Sequence, residues 1–360
     1  MNNLPSDPDF PTKGEVERAG NTLRDTNEVR DLPPMTIETI NDWRSSHRFP
    51  LYTVQMGIRR HSLRQDPDAV ISQRLKRLVS IQAKLIRFEN MKYHQVQDLG
   101  GCRVVFKQIN NIQKTIDSYE GSQKRHKLHG CKNYIESPKP DGYRSVHLVY
   151  RYMSDKNAYY NGRLIEIQLR TALQHMWATA LETVDVATGS DLKLGGGTLA
   201  WKRFFVLASN IFAYKECTPT IPGAPDTIEH TIEELRISEK QLNALTTLEA
   251  LRSGVETMQP SDSGGLSDDY RKVAKGGYQL ITLEIISPTV TNFSFTAYRL
   301  SDYETAQKRY AELEVKNDRN VQTVLVSTRS IMELSKAYPN YVMDTRRFIS
   351  EIKKVLSSKL

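Results

Sequence analysis

Asp98 stands immediately before Leu99, Gly100 and Gly101, and Glu166 alternates with Ile165 and Ile167 in a short apolar run. A carboxylate at a strand end can hold a hard cation such as Mg²⁺, and paired glycines let a backbone come close to a ligand. Two such carboxylates, one before a strand and one within another, could hold a metal between them. Phosphate chemistry with Mg²⁺ uses pairs of this kind, with cations nearby to neutralise phosphate charge. Taken singly, Asp98 reads equally as a solvated turn residue and Glu166 as the open face of an antiparallel strand. What points to a site is the combination of three polar-and-glycine motifs, each at a strand end: DLGGCRVVF at 98–106, KPDGYRSVHLVY at 139–150 and LIEIQLRTALQHMW at 164–177.

Positioning these residues requires strands and a few helices. Val104, Val105 and Phe106 predict a buried strand over 102–107. Pro140, Asp141 and Gly142 predict a turn that presents Tyr143, with a strand over 145–152 after it. Asn161-Gly162 predicts a hairpin into a strand over 163–169, on which Glu166 and Gln168 share one face. Leu173, Met176, Trp177, Ala180 and Leu181 then repeat at helical spacing. Upstream, Ile71, Leu75, Leu78, Ile81, Leu85 and Phe88 give an apolar rhythm of threes and fours, with Arg74, Lys76 and Lys84 projecting away from it. Residues 36–60 read as helical with Thr36 as N-cap. Residues 111–120 read as a short helix and 121–138 as a basic loop.

The three motifs resemble those of the RelA/SpoT-type nucleotidyltransferases, which move pyrophosphate from ATP to a ribose 3′-hydroxyl. The run from Arg74 through Lys76 and Ser80 to Lys84 resembles that family's ATP-binding signature, and the likeness covers roughly residues 40–215. It implies an α/β (α+β) fold, a nucleotidyltransferase-like mixed sheet flanked by helices. It also implies roles. Asp98 and Glu166 become the Mg²⁺ ligands, Glu166 also accepting the hydroxyl proton. Arg74 and Arg103 sandwich adenine, and Lys76, Ser80 and Lys84 hold the ATP phosphates. Lys139, Tyr143, Arg144 and His147 meet the acceptor, with Tyr143 stacking on its base, and Gln168 and Arg170 form the floor. For Tyr143 the alternative is core packing behind a turn. The family's hydrolase domain is not expected, because no His-Asp pair precedes the synthetase-like part.

The chain has 360 residues and a net charge of +8, from 50 basic and 42 acidic side chains. Its 39% hydrophobic and 26% charged content fits a soluble globular protein of two or three domains. No apolar run approaches a membrane span and the N-terminus has no secretory pattern, so no membrane association is expected. Cys102, Cys131 and Cys217 are widely spaced and odd in number, which argues against a disulfide framework and suits a reducing cytoplasm. Eleven Lys/Arg face three Asp/Glu between Arg44 and Lys92, and six face two between Lys124 and Arg144. So broad a basic cluster favours a ligand larger than a nucleotide.

Composition divides the chain into a polar flexible extension (1–33), the synthetase-like part (34–217), a linker with a long amphipathic helix over 228–255 (218–268) and a C-terminal unit (269–360). In that last unit the pattern predicts strands around 278–285, 293–297 and 321–327, and helices over 301–316 and 344–356. It also holds Tyr338-Pro-Asn-Tyr341 and no cysteine. This arrangement resembles the CapRel group of fused toxin–antitoxin proteins, which implies a small α+β pseudo-zinc-finger domain. There the synthetase pyrophosphorylates the CCA end of tRNA and halts translation, Tyr338 and Tyr341 would occlude the ATP site, and a phage protein such as the major capsid protein would release it, in a monomer. Two other readings stand beside it: an alarmone synthetase that uses GDP or GTP as acceptor, and a non-catalytic RNA-binding sensor.

Overall fold

The computed structural model describes residues 10–122, 125–188, 198–249, 277–287, 290–316, 321–328 and 345–357. Among the described residues, eight strands form one mixed sheet in the order β3-β4-β5-β2-β1-β8-β6-β7. They are β1 (Val70–Leu75), β2 (Gly100–Phe106), β3 (Lys127–Asn133), β4 (Val146–Arg151), β5 (Leu164–Thr171), β6 (Gly277–Ser287), β7 (Val290–Arg299) and β8 (Val321–Thr328). Only β2 and β5 run parallel; every other neighbouring pair is antiparallel. The expected mixed sheet flanked by helices is therefore what the chain forms.

Strict alternation sets the two faces of the central strands. Ile71, Cys102, Val104, Ile165, Ile167, Leu169 and Leu148 are buried on one face. Helices α3 (Arg48–Gln65) and α5 (Asn110–Ser122) cover them, contributing Leu51, Val54, Ile58 and Ile112. Gly100 makes this packing possible, because a Cβ there would stand 2.9 Å from Ile165 and 3.4 Å from His47 and Leu51. The opposite face carries Arg74, Gly101, Arg103, Glu166, Gln168, Arg170 and His147 by the same alternation.

Two further cores flank the sheet. The first joins α1 (Lys13–Asp25), α2 (Pro34–Ser45) and α4 (Leu78–Arg87) through Val16, Leu23, Ile40, Trp43, Ile81 and Leu85. Within the N-terminal stretch, α1 opens with a Thr12–Glu15 capping box and buries Val16 and Leu23 completely. Thr36 is not an N-cap either. Pro34 starts α2, as its fixed φ and missing N–H favour, so Thr36 lies inside the helix. The predicted basic loop over 121–138 contains β3, an edge strand whose mostly exposed polar residues conceal the usual alternation.

The second core packs α6 (Ala172–Thr188), α7 (Leu199–Glu216), α8 (Ile228–Leu242) and α10 (Arg346–Ser357) around Trp177, Phe204, Phe205, Phe212 and Phe348. Burying each such aromatic contributes roughly 1.5–3 kcal/mol. The amphipathic helix predicted over 228–255 is interrupted at Asn243, which is left-handed at φ 48°, and its Ile232 and Leu235 are buried in this core.

Residues from the C-terminal part close the far side. Strand β8 pairs with β1 through Gln73↔Ser327 and Arg74↔Val326. Helix α9 (Tyr303–Lys316) lies beside α2 and α3. There Arg48 sits over the ring of Tyr303 and donates to the Tyr278 hydroxyl at 2.8 Å, and Gln307 bonds Ser45. Among the described residues no helix is long and apolar enough to cross a membrane.

Candidate active site

The amide of Lys76 donates to Leu99 O at 2.9 Å, which fixes the end of β1 beside the approach to β2. Lys76 and Asp98 are therefore neighbours, and α4, starting at Leu78, brings Lys84 to the same point. Asp98 Oδ2 accepts from Lys76 Nζ at 2.8 Å and Oδ1 from Lys84 Nζ at 2.7 Å. Burial alone would raise the Asp98 pKa, but the two ammonium groups override it and hold the carboxyl well below the usual range. Burial also lowers the pKa of Lys76, with Asp98 opposing. Two half-buried lysines on one ionised carboxylate form a site in which an incoming phosphate can take the ammonium groups and leave the carboxylate to a cation.

Glu166 lies on β5 opposite Gly101 of β2. A Cβ at Gly101 would meet nothing within 4 Å, so the open face has clear space between Glu166 and Arg74, its next neighbour across the sheet. Gln168 Nε2 donates to Glu166 Oε2 at 2.7 Å, and His147 Nδ1 lies 3.0 Å from Oε1. The Tyr143 hydroxyl is 2.8 Å from the other His147 nitrogen. The tautomer protonated at Nδ1 satisfies both bonds: Tyr143 donates to Nε2 and Nδ1–H donates to Glu166. Burial pushes the Glu166 carboxyl up, yet His147 and Gln168 bring it below its ordinary value, with the Asp98 charge opposing. Glu166 is thus an ionised, oriented carboxylate within the field of Asp98.

Three arginines complete the face. Arg103 pairs in register with Gln168 and Arg74 with Gly101. Arg170 is buried and pushed down to about 9, first by burial and then by the charge of Arg103, with Arg74 adding to it. Crowded like charges of this kind favour a polyanionic ligand. Asp141 accepts from Tyr143 N at 2.9 Å, and Gly142 adopts φ +95° with Trp177 and Ser209 close behind, so the turn has the shape its residues predict. Lys139 Nζ sits 4.9 Å from the Tyr143 ring centroid.

Of the residues singled out in sequence, Lys76, Lys84 and Asp98 form one bonded group and Tyr143, His147, Glu166 and Gln168 a second, with the Asp98 charge felt at Glu166. Arg74, Arg103 and Arg170 line the adjacent face, and Ser80 lies in the first turn of α4. Arg144 does not join them. It is 3% exposed and turns behind the loop, donating to Ser209 Oγ at 3.1 Å and reaching Ile135 O and Thr218. In a chain that alternates, the residue after Tyr143 faces the opposite way, and here that way is α7. Tyr143 itself combines both of its readings, since it packs partly against the α6–α8 core while its hydroxyl enters the network. Tyr134 was missed as a site residue, although its ring meets Tyr143 and His147 edge-on at 6.0 and 5.3 Å. Its place just beyond β3, opposite the start of β4, became visible only with the fold, because β3 itself was not legible in the sequence. Tyr338 and Tyr341 lie outside the described residues.

The donor set suits Mg²⁺, a hard cation that takes one or two carboxylates and completes its shell with water and phosphate. Among the described residues there is no group of three or more His, Cys, Asp or Glu placed to enclose a metal. The fold is a mixed α/β sheet that sets two carboxylates, two lysines and several arginines on one side, a charge pattern suited to a phosphorylated ligand.

Comparison with known proteins carries this further. Residues 73–184 match the model described as the region found in RelA / SpoT proteins. The GTP pyrophosphokinases YwaC and YjbM of Bacillus subtilis are each 30% identical, over 120 and 116 residues. These stretches are 32% and 31% of this chain and 56% and 54% of the relatives, so the chain spans about half the length of the curated relatives it matches. Among solved structures, small alarmone synthetase 1 from Bacillus subtilis bound to its product pppGpp aligns at 25% identity and a TM-score of 0.35, covering 41% of this chain and 73% of that one.

Proposed function

We propose that the chain is an ATP-dependent pyrophosphokinase that transfers pyrophosphate to the 3′-hydroxyl of the CCA end of tRNA and so blocks translation. The observation that carries the reading is the pair of ionised carboxylates, Asp98 held by two lysines and Glu166 held by His147 and Gln168. It lies within the stretch that matches the RelA/SpoT region. Lys76, Ser80 and Lys84 bind the triphosphate, and Arg74 and Arg103 take the adenine. Tyr143 and Lys139 receive the acceptor's terminal nucleotide. Glu166 removes the 3′-hydroxyl proton as that oxygen bonds to the β-phosphorus of ATP. The bond from the β-phosphorus to its bridging oxygen breaks, and AMP leaves. Mg²⁺, when bound by Asp98 and Glu166, neutralises the charge that develops on the phosphates. His147 and Gln168 keep Glu166 aimed and ionised, so the contribution of these residues is positioning and electrostatics.

The names of the relatives favour a second reading, in which GDP or GTP is the acceptor. A free guanosine nucleotide needs cations for its 5′-phosphates near the acceptor turn. Arg144 is committed to Ser209 and Thr218 in the interior, whereas Lys139 has Arg87 and Lys132 within its field. The RNA acceptor draws its support from the basic stretches on both sides of the site. In the same reading the C-terminal part restrains the enzyme through Tyr338 and Tyr341, and a phage protein such as the major capsid protein releases it.

The test uses the full chain and its Tyr338→Ala/Tyr341→Ala variant, each incubated with γ-labelled ATP, Mg²⁺ and either bulk tRNA or GDP. Label in tRNA that disappears when the terminal adenosine is trimmed, and that increases in the variant, is the expected result. Label in a guanosine nucleotide alone overturns the RNA acceptor, and label in neither overturns the transferase.

A further inference from the structure

Helix α4 carries Ser80 and Lys84, and its N-cap residue Arg77 makes no capping bond with its side chain. The first amide of the helix is nonetheless satisfied. Leu78 N donates to Glu314 Oε1, a residue of α9 far along the chain. The other Glu314 oxygen receives Arg44 Nη1 from α2 at 2.8 Å, and the same Nη1 reaches Lys76 O at 3.3 Å. The Tyr310 hydroxyl donates to Glu314 at 2.6 Å, Asn41 accepts from Arg44 Nη2 at 2.7 Å, and the guanidinium lies 5.2 Å from the Tyr310 ring centroid. Arg44 and Glu314 are 2% and 6% exposed. One buried ion pair thus holds both peptide groups that flank Arg77: the carbonyl of Lys76 and the amide of Leu78. Lys76 is also the residue whose ammonium group grips Asp98.

Stability alone is a poor account of such a pair, because exchanging a buried ion pair for apolar side chains of similar volume is often neutral or stabilising. A pair that must set the position of a turn has a different requirement, since it acts through directed bonds to the backbone. The pairing of Arg74 with Val326 ties the same strand to the same C-terminal segment at a second point.

We propose that Arg44 and Glu314 are positioning residues for the donor nucleotide. They lock the turn between β1 and α4 so that Lys76, Ser80 and Lys84 face the triphosphate together, and the segment around α9 and β8 completes the ATP site. This rests on the pyrophosphokinase reading. It separates the C-terminal part into a stretch that builds the site and, elsewhere, any stretch that restrains it.

The experiment compares three variants with their parent, which is the full chain carrying Tyr338→Ala/Tyr341→Ala so that the proposed restraint is off. Glu314→Gln keeps the shape and removes the charge. Arg44→Met/Glu314→Leu replaces the pair with apolar volume, and Tyr310→Phe removes one bond to Glu314. Binding of a non-hydrolysable ATP analogue with Mg²⁺ is measured by calorimetry, binding of tRNA separately, and the unfolding temperature alongside. The first two variants are expected to bind the analogue roughly tenfold more weakly and tRNA as the parent does. Tyr310→Phe should give a smaller loss in the same direction, and the double variant should keep the parent's unfolding temperature to within a few degrees. Parent-like affinity for the analogue in the folded variants overturns the proposal, as does a loss no larger than the unfolded fraction explains. A parent chain that does not bind the analogue sinks the pyrophosphokinase reading itself, so the two failures are told apart.

Discussion

The central strands β4, β5, β2 and β1 present two opposite faces, and the two are organised on different terms. Beneath α3 and α5, Ile165, Ile167 and Leu169 interlock with Cys102, Val104 and Leu148, and each side chain is held by its neighbours in bulk. On the other face Glu166, Gln168, His147 and Tyr143 are held by single directed bonds of 2.7–3.0 Å. Packing tolerates adjustment and loses energy gradually, whereas a directed network around one ionised carboxylate is disrupted when one atom changes. One strand therefore carries apolar packing on residues 165, 167 and 169 and a directed polar network on Glu166 and Gln168.

Substitutions on each face should separate these two properties. Asp98→Asn should reduce pyrophosphate transfer by about a thousandfold, because the lysines lose the charge they share and a cation loses its ligand; single-turnover rates check this. Glu166→Gln should cost about a hundredfold in the same assay, with the unfolding temperature held or raised, since a desolvated charge is removed from the site. A fall in unfolding temperature proportional to the activity lost would erase the distinction between the faces. Ile167→Ala, one residue away and on the other face, should destabilise the fold by about 3 kcal/mol in denaturant titration while each folded molecule keeps its rate.

Arg144→Ala extends the contrast to the turn. It should destabilise by about 2 kcal/mol, since Ser209 Oγ and Ile135 O lose a buried partner, with the KM for the acceptor unchanged. A raised acceptor KM at unchanged stability would return Arg144 to the site. The smallest effect concerns pH. The folded-state pKa of Asp98 lies below its ordinary 3.8. Its pairing therefore contributes stability that is fully present above 3.8 and is lost as the pH falls through the depressed value. Acid titrations of the parent should show this loss, and Asp98→Asn should flatten the curve below 3.8.

The apolar face was largely legible in the sequence, because a period of two leaves an unmistakable trace in LIEIQLR and GCRVVF. The polar residues of the candidate site were legible by type and motif, and the structure sets Glu166 within the field of Asp98. Direction was harder. Nothing in KPDGYRSVH distinguishes Tyr143, which enters the network, from Arg144, which enters the interior, until α7 is known to lie behind the turn. Strand β3 was hidden because an exposed edge strand buries too little to alternate. Helix α1 was only faintly legible because of its scarcity of apolar residues, although Thr12 and Glu15 marked its start. The bond from Leu78 to Glu314 joins residues far apart in the chain, and no local pattern reports such a meeting.

The placement of β8 beside β1 bears on how the molecule comes into being. On a ribosome, β1 and its partner β2 emerge long before Val326 and Ser327, which pair with Arg74 and Gln73. Until then β1 is a bare rim of unpaired peptide groups, adhesive toward any other strand. A polypeptide still in synthesis therefore has every reactive side chain of the proposed site and lacks the flank that squares it up. Under the proposed function, that order of assembly would delay the first turnover until β8 has been made.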